Sequence, residues 1–141
     1  MPYPIKIILV DDHDLVRESF KLLLEKDKRF VIISHCKSGA EAIDLSKKLL
    51  PDVMLMDINM SPINGFEAAQ KITEATPSIK IIGVSINNNP KYALKMIDHG
   101  AKGFVTKTSA FSELTYAIEK VYAGESYICN EVRKKMPAQE E

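Results

Sequence analysis

The stretch Pro51-Asp-Val-Met-Leu-Met-Asp57-Ile-Asn59-Met60-Ser61-Pro62-Ile63-Asn64-Gly65 decides how the rest of the chain is read. Its apolar run, Val53 to Met56, ends abruptly on an acid, and turn-forming residues follow from Ser61 to Gly65. A short apolar run bounded by turn residues predicts a strand buried on both faces, as in a parallel sheet covered by helices. Open α/β sheets bind their ligands at the carboxyl ends of their strands. Asp57 therefore stands where chemistry is expected. A charge that closes a doubly buried strand is also costly unless something partners it.

Working outward, a second apolar run, Ile5-Lys-Ile-Ile-Leu-Val10, is rich in β-branched residues and ends on Asp11-Asp12. Leu15 to Lys26 reads as a helix, with Val16, Phe20, Leu23 and Leu24 at helical spacing and Asp14 at its positive end. Phe30 to Ser34 reads as a strand. Ser38-Gly-Ala-Glu41 has capping-box spacing and opens a helix that runs to Pro51. Downstream, Asn64-Gly-Phe-Glu67 starts a helix that stops before Pro77. Ile79 to Ser85 is the next strand, followed by the polar loop Asn87-Asn-Asn-Pro90. Tyr92 to His99 reads as a helix stopped by Gly100, and Lys102 to Lys107 as a short strand. The last helix spans Phe111 to Ala123, with Phe111, Leu114, Ile118 and Val121 on one face and Gly124 as terminator. Five strands alternating with five helices predict a doubly wound parallel sheet with right-handed crossovers. We expect one domain over residues 1–125 and an extension or linker over 126–141, in which Tyr127-Ile128 packs back and Arg133 to Glu141 is linker-like.

Composition narrows the function classes. With 141 residues, 45% hydrophobic and 27% charged, the chain is long enough to bury a core without staples. A formal net charge of zero offers no global attraction to nucleic acid or anionic lipid. No apolar run approaches the roughly 20 residues of a membrane span, and the start lacks signal-peptide organisation. Cys36 and Cys129 have no metal-ligand spacing, so two reduced thiols in a cytoplasmic protein are expected.

A parallel sheet places the carboxyl ends of its strands along one edge, which collects Asp11, Asp12, Asp57, Ser85 and Lys107 around one crevice. Each suits phosphoryl transfer. A carboxylate can be a covalent nucleophile that forms an acyl phosphate. Clustered carboxylates need a cation, and hard oxygen ligands without Cys or His favour Mg²⁺. The Asn59 backbone carbonyl is a further candidate ligand. Lys107 would stabilise charge on phosphoryl oxygens, and the Ser85 hydroxyl could donate to one of them. Taken singly, an Asp-Asp pair is ordinarily a turn or cap, a strand-end lysine is solvated, and a serine caps. Their joint placement carries the reading.

These residues resemble a known family. Asp11-Asp12, Asp57-Ile-Asn59-Met, Gly65, Ser85 and Gly100-Ala-Lys-Gly-Phe104-Val-Thr-Lys107 are similar to the receiver domain of two-component response regulators, over roughly Ile5 to Gly124. The resemblance implies a flavodoxin-like (βα)5 fold with strand order 2-1-3-4-5. It implies that Asp57 takes its phosphoryl group from a sensor histidine kinase or a phosphotransfer protein. Asp12, Asp57 and the Asn59 carbonyl would ligate Mg²⁺, with Asp11 holding a ligand water. Ser85 and Phe104 would be the switch residues, the first moving toward the phosphoryl group and the second rotating inward. Asp11-Asp-His13-Asp-Leu-Val-Arg17-Glu and Ala117-Ile-Glu-Lys-Val-Tyr-Ala-Gly124 further resemble the NarL/FixJ (LuxR-type) subfamily. Members of that subfamily control transcription through a helix-turn-helix domain, which this chain is too short to hold. DNA contact is therefore expected only through such an absent domain, and dimerisation on phosphorylation through surface helices.

The chain departs from the pattern at a few places. Met60-Ser61-Pro62 shifts a usual proline by one, Thr108 stands where proline often follows the lysine, and Ile86 follows Ser85 where a small residue is common. Phe104 lacks a hydroxyl, so an inward state would be held by packing; a static core residue is the plain alternative. His13 is read as a surface or helix-start residue. The expected protein is a signalling switch and not an enzyme in its own right. A stand-alone receiver acting as a relay or protein-binding module is the alternative. A phosphatase with an aspartyl-phosphate intermediate, of haloacid-dehalogenase type, would need an acid where Asn59 stands. A dinucleotide site would need a glycine-rich turn after the first strand.

Overall fold

The computed structural model describes residues 3–137; Met1, Pro2 and the end of the expected linker, 138–141, lie outside the described residues. The elements run β1 (Ile5–Val10), α1 (Asp14–Glu25), β2 (Phe30–Cys36), α2 (Gly39–Leu49), β3 (Val53–Asp57), α3 (Gly65–Ala75), β4 (Lys80–Ser85), α4 (Pro90–Asp98), β5 (Gly103–Thr106), α5 (Phe111–Tyr122), β6 (Tyr127–Ile128) and α6 (Asn130–Arg133). They form one sheet of order β2-β1-β3-β4-β5-β6 with every pairing parallel. The flavodoxin-like order 2-1-3-4-5 is thus present, with a sixth strand added at its β5 edge.

Local signals explain most boundaries. Ser38 caps α2 by accepting from the Glu41 N–H at 3.1 Å. Asn64 and Glu67 form the reciprocal capping box at the start of α3. Asn89 caps α4, and Pro90 supplies its first turn, two residues before the expected start at Tyr92. β2 continues past Ser34 to Cys36 because an irregularity opposite Ile7 and Ile8 lets Ser34, His35 and Cys36 keep pairing with Ile8, Leu9 and Val10.

Every residue of β3 is buried, as its unbroken apolar pattern requires. Its neighbours β1 and β4 align Leu55 with Leu9 and Ile82, so the centre of the sheet is covered on both faces. α1 and α5 meet over one face around Phe20, Leu23, Phe111 and Leu114, while α2 packs on α3 and α3 on α4 over the other.

The expectation of five strands is corrected at the C-terminal end. After Gly124, with φ +97°, the chain turns back and Tyr127 and Ile128 pair with Gly103 and Phe104. Cys129 and Val132 then become fully buried. A two-residue strand is too short for a periodic pattern to reveal. The Lys107–Thr108 bond, where Thr108 stands in place of a common proline, is trans; among the described residues cis bonds occur at Tyr3–Pro4 and Ser61–Pro62.

Gly65 ties the fold to the strand end that matters. A Cβ there would lie 2.4 Å from the Asp57 carbonyl oxygen and 2.6 Å from Ile58 Cα, both rigid backbone atoms. Gly65→Ala should therefore push α3 away from β3 and destabilise the domain by about 1–3 kcal/mol. The measurement is urea unfolding, where the midpoint should fall at unchanged slope. An unchanged midpoint would show that the start of α3 moves at no cost.

Candidate functional site

The carboxyl ends of β1, β3, β4 and β5 bring the predicted residues together. Asp11 directly follows β1 and is 4% exposed; its N–H donates to the Cys36 carbonyl at 3.1 Å, which extends the β1–β2 pairing by one residue. Asp57 closes β3 and is 1% exposed. Lys107, just past β5, reaches back so that Nζ lies 2.9 Å from Asp11 Oδ2 and 3.6 Å from Asp57 Oδ1. Its backbone N–H donates to the Ser85 carbonyl at 2.8 Å, locking the ends of β4 and β5 to each other. The Ser85 hydroxyl is fully buried and accepts from the Asn87 N–H at 2.9 Å.

The two oxygens of Asp57 differ. Oδ1 accepts from the Asn59 N–H at 3.2 Å and faces Lys107. Oδ2 is buried and has no hydrogen-bond partner. Burial pushes the Asp57 carboxyl up to about 6, reinforced by the nearby charge of Asp11 and opposed by the Asn59 N–H and Lys107. A buried carboxylate oxygen in this condition calls for a cation or an electrophile. One donor atom from each of Asp11, Asp12, His13 and Asp57 lies within 4.8 Å of the others. A shallow cavity of about 350 Å³ beside them is lined by Asp12, Asn59, Met60, Ser61 and Asn64. The carboxylate donors are hard oxygens of the kind that suits Mg²⁺, so the residues present fit such an ion.

Phe104 pairs in register with Gly83 and is fully buried, its ring against the position where a Gly83 Cβ would project. In this structure the ring is inward and belongs to the core.

Three residues are more engaged than their sequence positions suggested. His13, read as a helix-start residue, is the N-cap of α1, and its ring also bends over the carboxylates, Nδ1 lying 3.0 Å from Asp11 Oδ1 and 3.1 Å from Asp12 Oδ1. Arg17 is buried on the turn behind them; it donates to the Asp11 carbonyl at 2.8 Å, to Asp14 Oδ1 at 2.8 Å and to His35 Nδ1 at 3.1 Å. Its sequence signal was its place in the Asp11-to-Glu18 stretch that carries the subfamily resemblance, which did not reveal these contacts. Glu131, in α6, accepts from Thr106 Oγ1 at 2.8 Å, Thr108 Oγ1 at 3.3 Å and Asn88 Nδ2 at 2.6 Å. Those partners flank Lys107 on one side and follow Ser85 on the other. Nothing in a lone glutamate 24 residues beyond Lys107 signals such a bridge (131 minus 107).

The response regulator receiver domain family matches residues 7–119. The chain belongs to the response regulator receiver domain family. The response regulator GacA of Pseudomonas syringae pv. syringae is 33% identical to this receiver over 132 residues, covering 94% of this chain and 62% of GacA. UvrY of Escherichia coli is 34% identical over 132 residues, covering 94% and 61%. The receiver therefore spans about three fifths of the length of the curated relatives it matches. Among solved structures, a LuxR-family response regulator from Aurantimonas superposes with a TM-score of 0.89 at 30% identity, covering 93% of this chain and 94% of that one. The signal receiver domain of a NarL response regulator from Mycobacterium tuberculosis gives 0.83 at 27%, covering 88% and 100%. The receiver is thus a two-component signalling domain with the flavodoxin-like fold, related to LuxR-type regulators. Among the described residues no helix is long and apolar enough to cross a membrane.

Two outcomes follow from the geometry. The folded Asp57 carboxyl keeps its proton to about pH 6, whereas an unfolded one releases it near pH 4. Across that window the native state binds more protons, so stability falls as pH rises and Asp57 costs stability above it. In chelator, Asp57→Asn should raise unfolding free energy at pH 7 by up to about 3 kcal/mol and flatten the fall between those pH values. Parallel pH profiles for the two proteins would contradict this. Separately, Glu131→Ala should speed amide exchange in residues 127–133 and 86–89 while leaving β1 and β3 protected; an unaltered exchange map would mean the bridge holds nothing.

Proposed function

We propose that this receiver is a phospho-accepting switch in which Asp57 takes a phosphoryl group from a phosphohistidine on a sensor histidine kinase or phosphotransfer protein. The observation that carries the reading is the buried Asp57 carboxylate, one oxygen held by Asn59 and Lys107 and the other, Oδ2, without a hydrogen-bond partner. An Oδ2 lone pair forms the new P–O bond as the P–N bond of the donor breaks. That electron pair leaves on the imidazole nitrogen. Lys107, confined between Asp11 and Asp57, places its charge on the phosphoryl oxygens, where this chemistry is mostly positioning and electrostatics. The Ser85 hydroxyl accepts from Asn87, which leaves its own proton free to be donated to a phosphoryl oxygen. Asp11, Asp12, Asp57 and the Asn59 carbonyl would hold Mg²⁺, which supplies Lewis-acid neutralisation of the carboxylates and the phosphoryl group.

The consequence is a conformational shift, not turnover of a separate substrate. A Ser85 hydroxyl drawn toward a phosphoryl group would pull on the Asn87–Asn88 loop, with Phe104 held behind it by packing. We take residues 1–125 as the receiver and 126–141 as a C-terminal extension or linker, acting in the cytoplasm. Control of transcription through a DNA-binding domain, with dimerisation on phosphorylation, is the output we propose, in keeping with the LuxR-type relatives.

Incubation with Mg²⁺ and acetyl phosphate, followed by intact mass, tests the assignment. One phosphoryl adduct should appear, vanish in Asp57→Asn and be suppressed by EDTA. Labelling that persists in Asp57→Asn would overturn the site. Lys107→Ala should still accept some phosphoryl group yet lose the exchange changes that phosphorylation produces at Ser85 to Asn88; a full response in that variant would remove Lys107 from the switch.

A further inference from the structure

We propose that His13 is a nitrogen ligand at the carboxylate cluster, and that it makes the site prefer a transition dication of the Ni²⁺, Co²⁺ or Zn²⁺ class to Mg²⁺. The inference rests on the metal part of the function proposed above and is independent of its phosphoryl part.

The geometry converges on one ion. His13 Nδ1 lies 3.0 Å from Asp11 Oδ1, 3.1 Å from Asp12 Oδ1 and 4.0 Å from Asp57 Oδ2. Bonds of about 2.0–2.2 Å to a shared ion put neighbouring donors roughly 3 Å apart and opposite donors a little over 4 Å apart. The four residues offer donors all within 4.8 Å of one another, close to that spread. An independent observation aims at the same point: Asp57 Oδ2, on a residue 1% exposed, has no hydrogen-bond partner.

The backbone holds His13 at the mouth of this cluster. Its N–H donates to Asp11 Oδ1 at 2.8 Å, and its extended conformation as N-cap of α1 turns the ring back over the strand end. The side chain is 62% exposed, so the ring can settle on an ion without repacking the core. Lys107 takes the opposite oxygen of Asp11, Oδ2, at 2.9 Å, leaving Oδ1 on the His13 side. Imidazole nitrogen suits Zn, Cu, Fe and Ni, whereas carboxylates and water suit Mg. Mg²⁺ also keeps several waters, so it gains little from exchanging one for a nitrogen. A transition ion seated here would engage the Asp57 oxygen that is otherwise open, and so would compete directly with Mg²⁺ for the acceptor site.

The rival account makes His13 only a counter-charge for the carboxylates. The two accounts part on what its removal does. A ligand selectively weakens transition-ion binding when deleted. A counter-charge, once gone, leaves the carboxylates more available and tightens every dication, Mg²⁺ included.

Calorimetric titration of tag-free protein with NiCl₂ and, separately, MgCl₂ tests this on the wild type, His13→Ala, His13→Gln and Asp57→Asn, each checked for fold by circular dichroism. Both His13 variants should lose at least tenfold in Ni²⁺ affinity and change less than twofold toward Mg²⁺. Electron paramagnetic resonance of bound Cu²⁺ should show nitrogen superhyperfine structure in the wild type that disappears in His13→Ala. Unchanged Ni²⁺ affinity, persistent nitrogen coupling, or tighter Mg²⁺ binding in the variants would overturn the proposal. If Mg²⁺ binding needs Asp57 while Ni²⁺ ignores His13, this inference alone fails. If neither ion depends on Asp57, the metal part of the proposed function falls with it.

Discussion

A carboxylate that the fold buries and then leaves half-satisfied is the constraint on which this receiver turns. Asp57 sits at the end of a strand covered on both faces, where an isolated charge is expensive. Lys107 meets that cost only in part, because it is shared with Asp11 and lies nearer to it. One oxygen of Asp57 remains without a hydrogen-bond partner. The raised proton affinity of Asp57 is one expression of this shortfall; the metal binding and phosphoryl acceptance that we propose for it would be two more.

The sheet order creates the shortfall. β3 lies between β1 and β4, so Asp11 and Asp57 must emerge side by side at the carboxyl edge. Two acids delivered to adjacent strand ends repel, and α3 starts so close to the end of β3 that a Cβ at Gly65 would strike the Asp57 carbonyl. The Lys107 N–H to Ser85 carbonyl bond fixes the cation-bearing strand to the hydroxyl-bearing one. In the switch we propose, this main-chain bond would couple the ends of β4 and β5 without depending on a flexible side chain.

The C-terminal segment extends that connection. Glu131 spans from Thr106 and Thr108, on either side of Lys107, to Asn88 in the loop after Ser85, and Lys135 Nζ donates to the Asn88 carbonyl oxygen of the side-chain amide at 3.0 Å. Its partners hold the Glu131 carboxyl below the usual range, so the bridge is charged at neutral pH. With Cys129 and Val132 fully buried beside it, this segment is anchored by packing as well as by polar contacts.

By itself the sequence determined the alternation of strands and helices, the burial of β3 and the gathering of Asp11, Asp12, Asp57, Ser85 and Lys107 at one edge. Those features follow from local periodicity, caps and the rule that parallel strands share an end. Only the tertiary structure decided the roles of His13, Arg17 and Glu131, and the presence of β6. Each of these depends on partners distant in sequence or on a segment too short to carry a period: Arg17 on His35, Glu131 on Asn88 and Thr106, Tyr127 on Gly103. Which oxygen of Asp57 stays open was likewise beyond the sequence. That is set by how a backbone N–H, an ammonium group and a second carboxylate are placed around it, an arrangement that exists only once the sheet has closed around them.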